Sequence, residues 1–137
     1  MKVVSLFAGC GGLDLGLIRA GNQIVYANDF DKDCVDTYRI NIGDHIVLDN
    51  ITNLKGNDIP EHDIITGGFP CQGFSVANLF RNEKDERNFL YIEMCRIIKE
   101  CLPKYFLAEN VPGILSLGGG EVVKIIDKEF SNIGKDL

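Results

Sequence analysis

Cys71 stands in the stretch Gly68-Phe69-Pro70-Cys71-Gln72-Gly73-Phe74-Ser75. Pro70 fixes its own φ and biases Phe69 toward an extended backbone, so the thiol that follows is held stiffly. Glycines on both sides let a flat substrate come close. A cysteine serving only as a small core hydrophobe has apolar neighbours. Here the neighbours are Gln72, Ser75 and glycines, which makes Cys71 a candidate nucleophile acting as its thiolate. The other cysteines, Cys10, Cys34, Cys95 and Cys101, are expected mostly as buried small hydrophobes. The five cysteines, Cys71 included, make an odd count, and no export signal precedes them, so a disulfide framework is not expected. No C-x-x-C pair occurs and His45 and His62 stand far apart; no metal site is expected.

A second constellation lies near the N-terminus. Phe7-Ala8-Gly9-Cys10-Gly11-Gly12 follows an apolar run and opens a helical stretch. Glycines there permit a tight turn and close approach of a ligand to the backbone. About twenty residues on comes Asn28-Asp29, where an acid at a strand end holds ribose hydroxyls. Asp29 or Asp31 could equally cap the helix containing Cys34, and both roles can hold, one for each carboxylate. The glycines are not spaced G-x-G-x-x-G. At this level a nicotinamide enzyme and an S-adenosylmethionine-dependent methyltransferase both remain open.

The elements that must position these residues alternate in period. Strands are expected at 2–7, 23–28, 44–48, 63–66 and 104–108. Helices are expected around Leu13, Leu15, Leu17 and Ile18, stopping at Gly21; around Cys34, Val35, Tyr38 and Ile42; along Leu90, Met94, Ile97, Ile98 and Cys101, stopping at Pro103; and along Val122, Ile126, Phe130 and Ile133. Residues 51–61 read as a polar connection and residues 73–87 as a long charged loop. Such alternation means an α/β fold: a mostly parallel sheet with helices on both faces and right-handed crossovers. Ligands then sit beyond the carboxyl ends of the strands. The glycine cluster, Asp29, Asp49 with Asn50, Cys71 and Glu109 each follow one of those ends.

The chain of 137 residues suffices for one domain with its own core. It carries no apolar run long enough for a membrane span. Its net charge of −6, taken alone, argues against a nucleic-acid binder, because affinity for DNA comes largely from neutralised phosphates.

Phe7-Ala8-Gly9-Cys10-Gly11-Gly12, then Gly68-Phe69-Pro70-Cys71-Gln72, then Glu109-Asn110-Val111 resemble, in order and spacing, three signature motifs of the DNA cytosine-5 methyltransferases. Weaker matches lie at Asn28-Asp29-Phe30 and Arg87-Asn88-Phe89-Leu90. The resemblance covers essentially the whole chain. It implies a Rossmann-like methyltransferase fold that uses S-adenosylmethionine, yields S-adenosylhomocysteine and needs no metal. It implies methyl transfer to carbon 5 of a cytosine flipped out of double-stranded DNA, by way of a covalent Cys71 adduct. It makes Cys71 the nucleophile and Glu109 its partner on the base. For the cofactor it implies Phe7, the backbone of Gly9, Cys10, Gly11 and Gly12, then Asp29, Phe30, Pro70 and Leu90. Asp49-Asn50-Ile51 stands where the family usually shows Asp-Ile, so either Asp49 or Asn50 would read the adenine amine. Gln72, Ser75, Arg87 and Asn110 would approach the substrate strand.

The family continues well past this length. An arginine-containing motif, a target-recognition region and a returning C-terminal segment have no counterpart here. The expectation is therefore a single partial, truncated catalytic domain over residues 1–137 of a bacterial, cytoplasmic restriction-modification methylase, without a target-recognition domain and away from any membrane. The alternative is an inactive or split-subunit fragment. Either leads to an expected complementing C-terminal half, or to self-association through an open sheet edge.

Overall fold

The computed structural model describes residues 1–70 and 90–134. Strands β1 (Lys2–Leu6), β2 (Gln23–Asp29), β3 (Ile46–Leu48), β4 (Ile64–Gly67) and β5 (Tyr105–Ala108) form one sheet in the order β3-β2-β1-β4-β5. Every pairing is parallel. Helices α1 (Gly12–Arg19), α2 (Lys32–Asn41), α3 (Leu90–Cys101) and α4 (Glu121–Ser131) join or follow the strands. The expected order of elements is thus present, with boundaries shifted by a residue or two. The loop expected at 73–87 lies outside the described residues.

The central strand explains the layering. Val3, Val4, Ser5 and Leu6 are all buried, as a parallel strand covered on both faces requires. Side chains alternate across a strand. Val3 packs with Ile24, Ala27, Val35, Tyr38 and Ile46 on the α2 side. Val4 and Leu6 pack with Ile65, Phe69, Met94, Ile97, Ile98, Val122 and Phe130 on the α3 and α4 side. Full burial of one such side chain contributes about 1.5–3 kcal/mol over leaving it exposed. Helix α3 ends where Leu102 takes a left-handed φ of 48°, since Pro103 disfavours helical geometry at the residue before it.

Three expectations are corrected. Most apolar residues of α1 do not face the core: Leu13, Leu15 and Ile18 are exposed, Leu17 is half-buried against the α2-side cluster, and Asp14 is buried. The turn from the glycine loop points Asp14 inward, where two hydroxyls satisfy its carboxylate. The 51–61 connection is not simply polar. It holds short 3-10 turns at Ile51–Asn53 and Gly56–Asp58 and buries Ile51 and Leu54 under α3. Of the described cysteines only Cys95 is buried; Cys10 is exposed and Cys34 and Cys101 are half-buried.

Candidate active site

Register puts the strand ends in one row. Leu6 lies beside Asn28 on one flank and Gly67 on the other, and Gly67 lies beside Ala108. Asp29 lies beside Leu48. The residues just after these positions therefore share one edge, as the topology required.

At that edge the chain turns out of β1 through Phe7, a non-glycine residue with φ 54°. Such a left-handed residue is sparsely populated and marks a place where surroundings over-determine the backbone. The Ala8 N–H donates to Asn28 O at 3.0 Å, and the Gly9 N–H donates to Asp29 Oδ2 at 2.7 Å. The other oxygen of Asp29 accepts the Asp31 N–H at 2.9 Å. Asp31 in turn caps α2, its Oδ1 accepting the N–H groups of Asp33 and Cys34. The two carboxylates thus divide the work: Asp31 starts the helix, and Asp29 fixes the glycine loop. Gly11 has φ 86°, and a Cβ there would meet the Tyr38 ring at 2.8 Å. Gly12 opens α1.

A cavity of about 180 Å³ lies in this region. It is lined by Phe7, Asn28, Asp29, Phe30, Asp49, Asn50, Ile51 and Leu90. Residues from four segments far apart in sequence meet there, and all but Asn28 were expected at one ligand. Phe30 is 70% exposed. Asn28 shapes the wall, donating from Nδ2 to Asp49 O at 2.8 Å and to Val47 O at 3.3 Å. Asn50 caps the 51–53 turn, its Oδ1 accepting both the N–H and the hydroxyl of Thr52 at 3.0 Å. Asp49 Oδ1 accepts Asn50 N–H and Asn53 Nδ2, each at 2.7 Å. The wall is acidic. Burial, then the charges of Asp49 and Asp58, push the Tyr26 phenol above its ordinary value.

The second half of the edge joins β4 to β5. Glu109 is exposed; its N–H donates to Gly67 O at 2.9 Å. A Cβ on Gly68 would lie 2.9 Å from Glu109 Oε2, so glycine there makes room for the carboxylate. Asn110 Nδ2 donates to Phe69 O at 2.7 Å. Glu109-Asn110 is thereby fastened to Gly68-Phe69-Pro70, the segment that leads to Cys71. Phe69 is buried and Pro70 exposed. Cys71, Gln72, Ser75 and Arg87 lie outside the described residues. Cys10 sits in the glycine loop with its sulfur 3.8 Å from that of Cys34.

Two supports were missed in the sequence. Asp14 accepts from Ser5 Oγ at 2.6 Å and Tyr38 OH at 2.7 Å, and the Tyr38 oxygen also meets His45 Nε2 at 3.1 Å. Burial, then the Asp14 hydrogen bond, raise the Tyr38 phenol strongly. Arg96 donates to Ile51 O and Leu54 O, each at 2.9 Å, and pairs with Glu93 and Glu100. It ties α3 to the turn that carries the cavity floor. Asp14 gave no signal, because an acid in a first helical turn reads as a dipole partner. Arg96 among acids at i−3 and i+4 reads as a surface ion-pair ladder.

Among the described residues, no group of three or more metal-ligating side chains forms, and no helix is long and apolar enough to cross a membrane.

Known proteins share both sequence and fold with the chain. Residues 1–135 match the C-5 cytosine-specific DNA methylase family model. The Type II methyltransferase M.FnuDI of Fusobacterium nucleatum is 46% identical over 134 residues, covering 98% of this chain and 39% of that protein. The Type II methyltransferase M.NgoFVII of Neisseria gonorrhoeae is 44% identical over 135 residues, covering 97% of this chain and 36% of its own. The chain thus spans less than half the length of these relatives. Among solved structures, a DNA modification methyltransferase from an E. coli prophage superposes with a TM-score of 0.76 at 35% identity, over 96% of this chain and 38% of its own. The Dnmt2 methyltransferase of S. pombe superposes with a TM-score of 0.74 at 24% identity, over 93% and 41%. The fold is that of S-adenosylmethionine-dependent methyltransferases, and the chain belongs to the C-5 cytosine-specific DNA methylase family.

Proposed function

We propose that this chain carries the cofactor site and the nucleophile of a DNA cytosine-5 methyltransferase of the restriction-modification type, acting on double-stranded DNA. The observation that carries the reading is the cavity at the strand ends, bounded by Phe7, Asp29, Phe30, Asp49, Asn50, Ile51 and Leu90. An exposed aromatic ring and an acidic wall suit a ligand with a flat base and positive charge. S-adenosylmethionine has both, and when bound it supplies an electrophilic methyl group. Asp29 would hold the ribose hydroxyls and Phe30 would stack on adenine. We assign the adenine amine to Asp49. The Asn50 oxygen already accepts two hydrogen bonds from Thr52, whereas both bonds to Asp49 fall on Oδ1.

In the proposed reaction the Cys71 thiolate adds to carbon 6 of the flipped cytosine, which makes carbon 5 nucleophilic. Glu109 holds N3 and the exocyclic amine and stabilises charge developing on the ring. Carbon 5 takes the methyl group. Loss of the carbon 5 proton to a base then lets the sulfur depart. The link from Asn110 to Phe69 supports this pairing, since it holds Glu109 beside the strand end that leads to Cys71. Pro70 stiffens that lead, and Gln72, Ser75 and Arg87 would meet the DNA strand.

Target choice and most DNA-binding charge would belong to sequence that the relatives have beyond this match. The proposed catalytic unit therefore includes a complementing C-terminal part. DNA containing 5-fluorocytosine provides the test, with S-adenosylmethionine and with or without the C-terminal part of a relative. The fluorine blocks loss at carbon 5, so a covalent adduct at Cys71 should accumulate and be seen by mass spectrometry. An adduct that persists in Cys71→Ser, or none in the complemented protein, overturns the nucleophile. Calorimetry of the same mixture should show Asp49→Asn binding S-adenosylmethionine more weakly than Asn50→Ala does. The reverse order reassigns the adenine contact.

A further inference from the structure

The cofactor reading leaves the paired thiols of Cys10 and Cys34 without a role. Cys10 is an exposed member of the glycine loop, and Cys34 is half-buried in the first turn of α2. They are twenty-four positions apart, yet their sulfurs stand 3.8 Å from each other. A disulfide needs a separation of about 2.05 Å, so a small loop movement or a side-chain rotation closes the gap. Rotation of the exposed Cys10 side chain supplies that closure, with a glycine at a positive φ on either side to leave room. A Cβ added at Gly9 would meet nothing within 4 Å, so that side of the loop is open. The backbone on both sides is held, because Asp31 caps α2 at Cys34 and Asp29 anchors both Asp31 and Gly9.

We propose that Cys10 and Cys34 are a reversible disulfide-forming site that fastens the glycine loop to α2. The oxidant is a low-molecular-weight disulfide such as oxidised glutathione. The exposed Cys10 thiolate attacks one of its sulfurs, forming a mixed disulfide and releasing one glutathione thiolate. The Cys34 thiolate then attacks the Cys10 sulfur, and the second glutathione thiolate leaves. Two protein thiols lose their protons and are oxidised, and one glutathione disulfide is reduced to two thiols. Burial, the neighbouring Cys10 and the acids Asp31 and Asp29 push the Cys34 thiol up to about 11. The closing step is therefore slow at neutral pH and quickens as pH rises. Resting on the cofactor reading of the same loop, the linkage would also restrict entry of S-adenosylmethionine. Linkage is reciprocal, so bound cofactor would disfavour the disulfide to the same degree.

The test is peptide mapping of the whole chain after equilibration with oxidised and reduced glutathione. A peptide joining Cys10 to Cys34 is expected, lost on reduction and absent from Cys34→Ser and Cys34→Ala. Amide exchange across residues 9–12 should slow in the linked form. A stable glutathione adduct on Cys10, a linkage to Cys71 instead, or a linked form with unchanged exchange overturns the proposal. S-adenosylmethionine affinity of the reduced and linked forms should differ by about tenfold, as ordinary coupling between sites allows. A reduced chain that binds no cofactor, even with the C-terminal part of a relative, counts against the proposed function alone, because the mapping and exchange still decide the disulfide.

Discussion

Gly11 and Gly9 occupy the same loop with the same sign of φ, but only Gly11 is packed. Its φ of 86° is costly for any residue with a Cβ, and that Cβ would press on Tyr38 at 2.8 Å and on Ile42. Gly9, at φ 55°, faces open space. Gly11→Ala should therefore destabilise the chain by about 2–5 kcal/mol, the left-handed cost of about 1–2 plus about 1–3 for overpacking. Gly9→Ala should cost only the first of these, about 1–2 kcal/mol. Urea unfolding of the two variants checks the ranking, and equal losses would show that packing at Gly11 relaxes freely. Residues of this kind were legible in part. The glycine cluster, Asp29 and Glu109 announce themselves because a rare residue type recurs at a strand end. Asp14 does not, since its burial depends on Ser5 and Tyr38 reaching it from other elements. Nor could the sequence show that the Asn50 oxygen is taken up by Thr52, the observation on which the proposed choice of Asp49 rests.

At the scale of elements, Asp63 gathers the starts of three strands. It accepts the Lys2 N–H at 2.9 Å and the Lys104 ammonium at 2.6 Å, and its own backbone bonds to Lys2 and Tyr105. The Lys104 hydrogen bond, then the Lys2 N–H, hold its carboxyl below the ordinary 3.8. A carboxyl with a lowered folded pKa stabilises the native state above the unfolded value and loses that effect as pH falls through the folded one. Asp63→Asn should therefore lower the urea midpoint at neutral pH, with the gap to the parent closing as pH falls below about 3.8. A gap that stays constant into acid would assign the loss to packing rather than charge. The central strand was readable as an apolar run because β1 is covered on both faces, and the longer helices by their apolar stripes. The α1 stripe misled, since an 8-residue helix launched from a glycine loop takes its orientation from the loop. The 51–61 segment misled through composition: Ile51 and Leu54 are few among polar residues, yet Arg96 pins their carbonyls under α3.

For the whole molecule, the open side is β5. Tyr105, Phe106 and Leu107 are 62%, 41% and 46% exposed, and among the described residues no strand pairs beyond it. Nearby Val111 and Leu115 are exposed as well. Phe106 stacks on Phe130 with ring centroids 5.2 Å apart. An apolar edge strand is a template for another chain. Under the proposed need for a complementing part, the isolated chain should sediment as a concentration-dependent oligomer, and lysines at Phe106 and Leu107 should shift it toward monomer. A monomer at all concentrations would remove this argument for a partner. The strand order also bears on synthesis. β1 pairs with β2 almost at once, but its other flank waits for β4, some sixty residues later in the chain. Translation from the N-terminus thus delivers Phe7, Asp29, Asp49 and Ile51 before the residues around Cys71 and Glu109 emerge. The nascent chain can assemble one wall of the cavity, and a small molecule resting there would stabilise the half-built sheet by mass action before Cys71 is made.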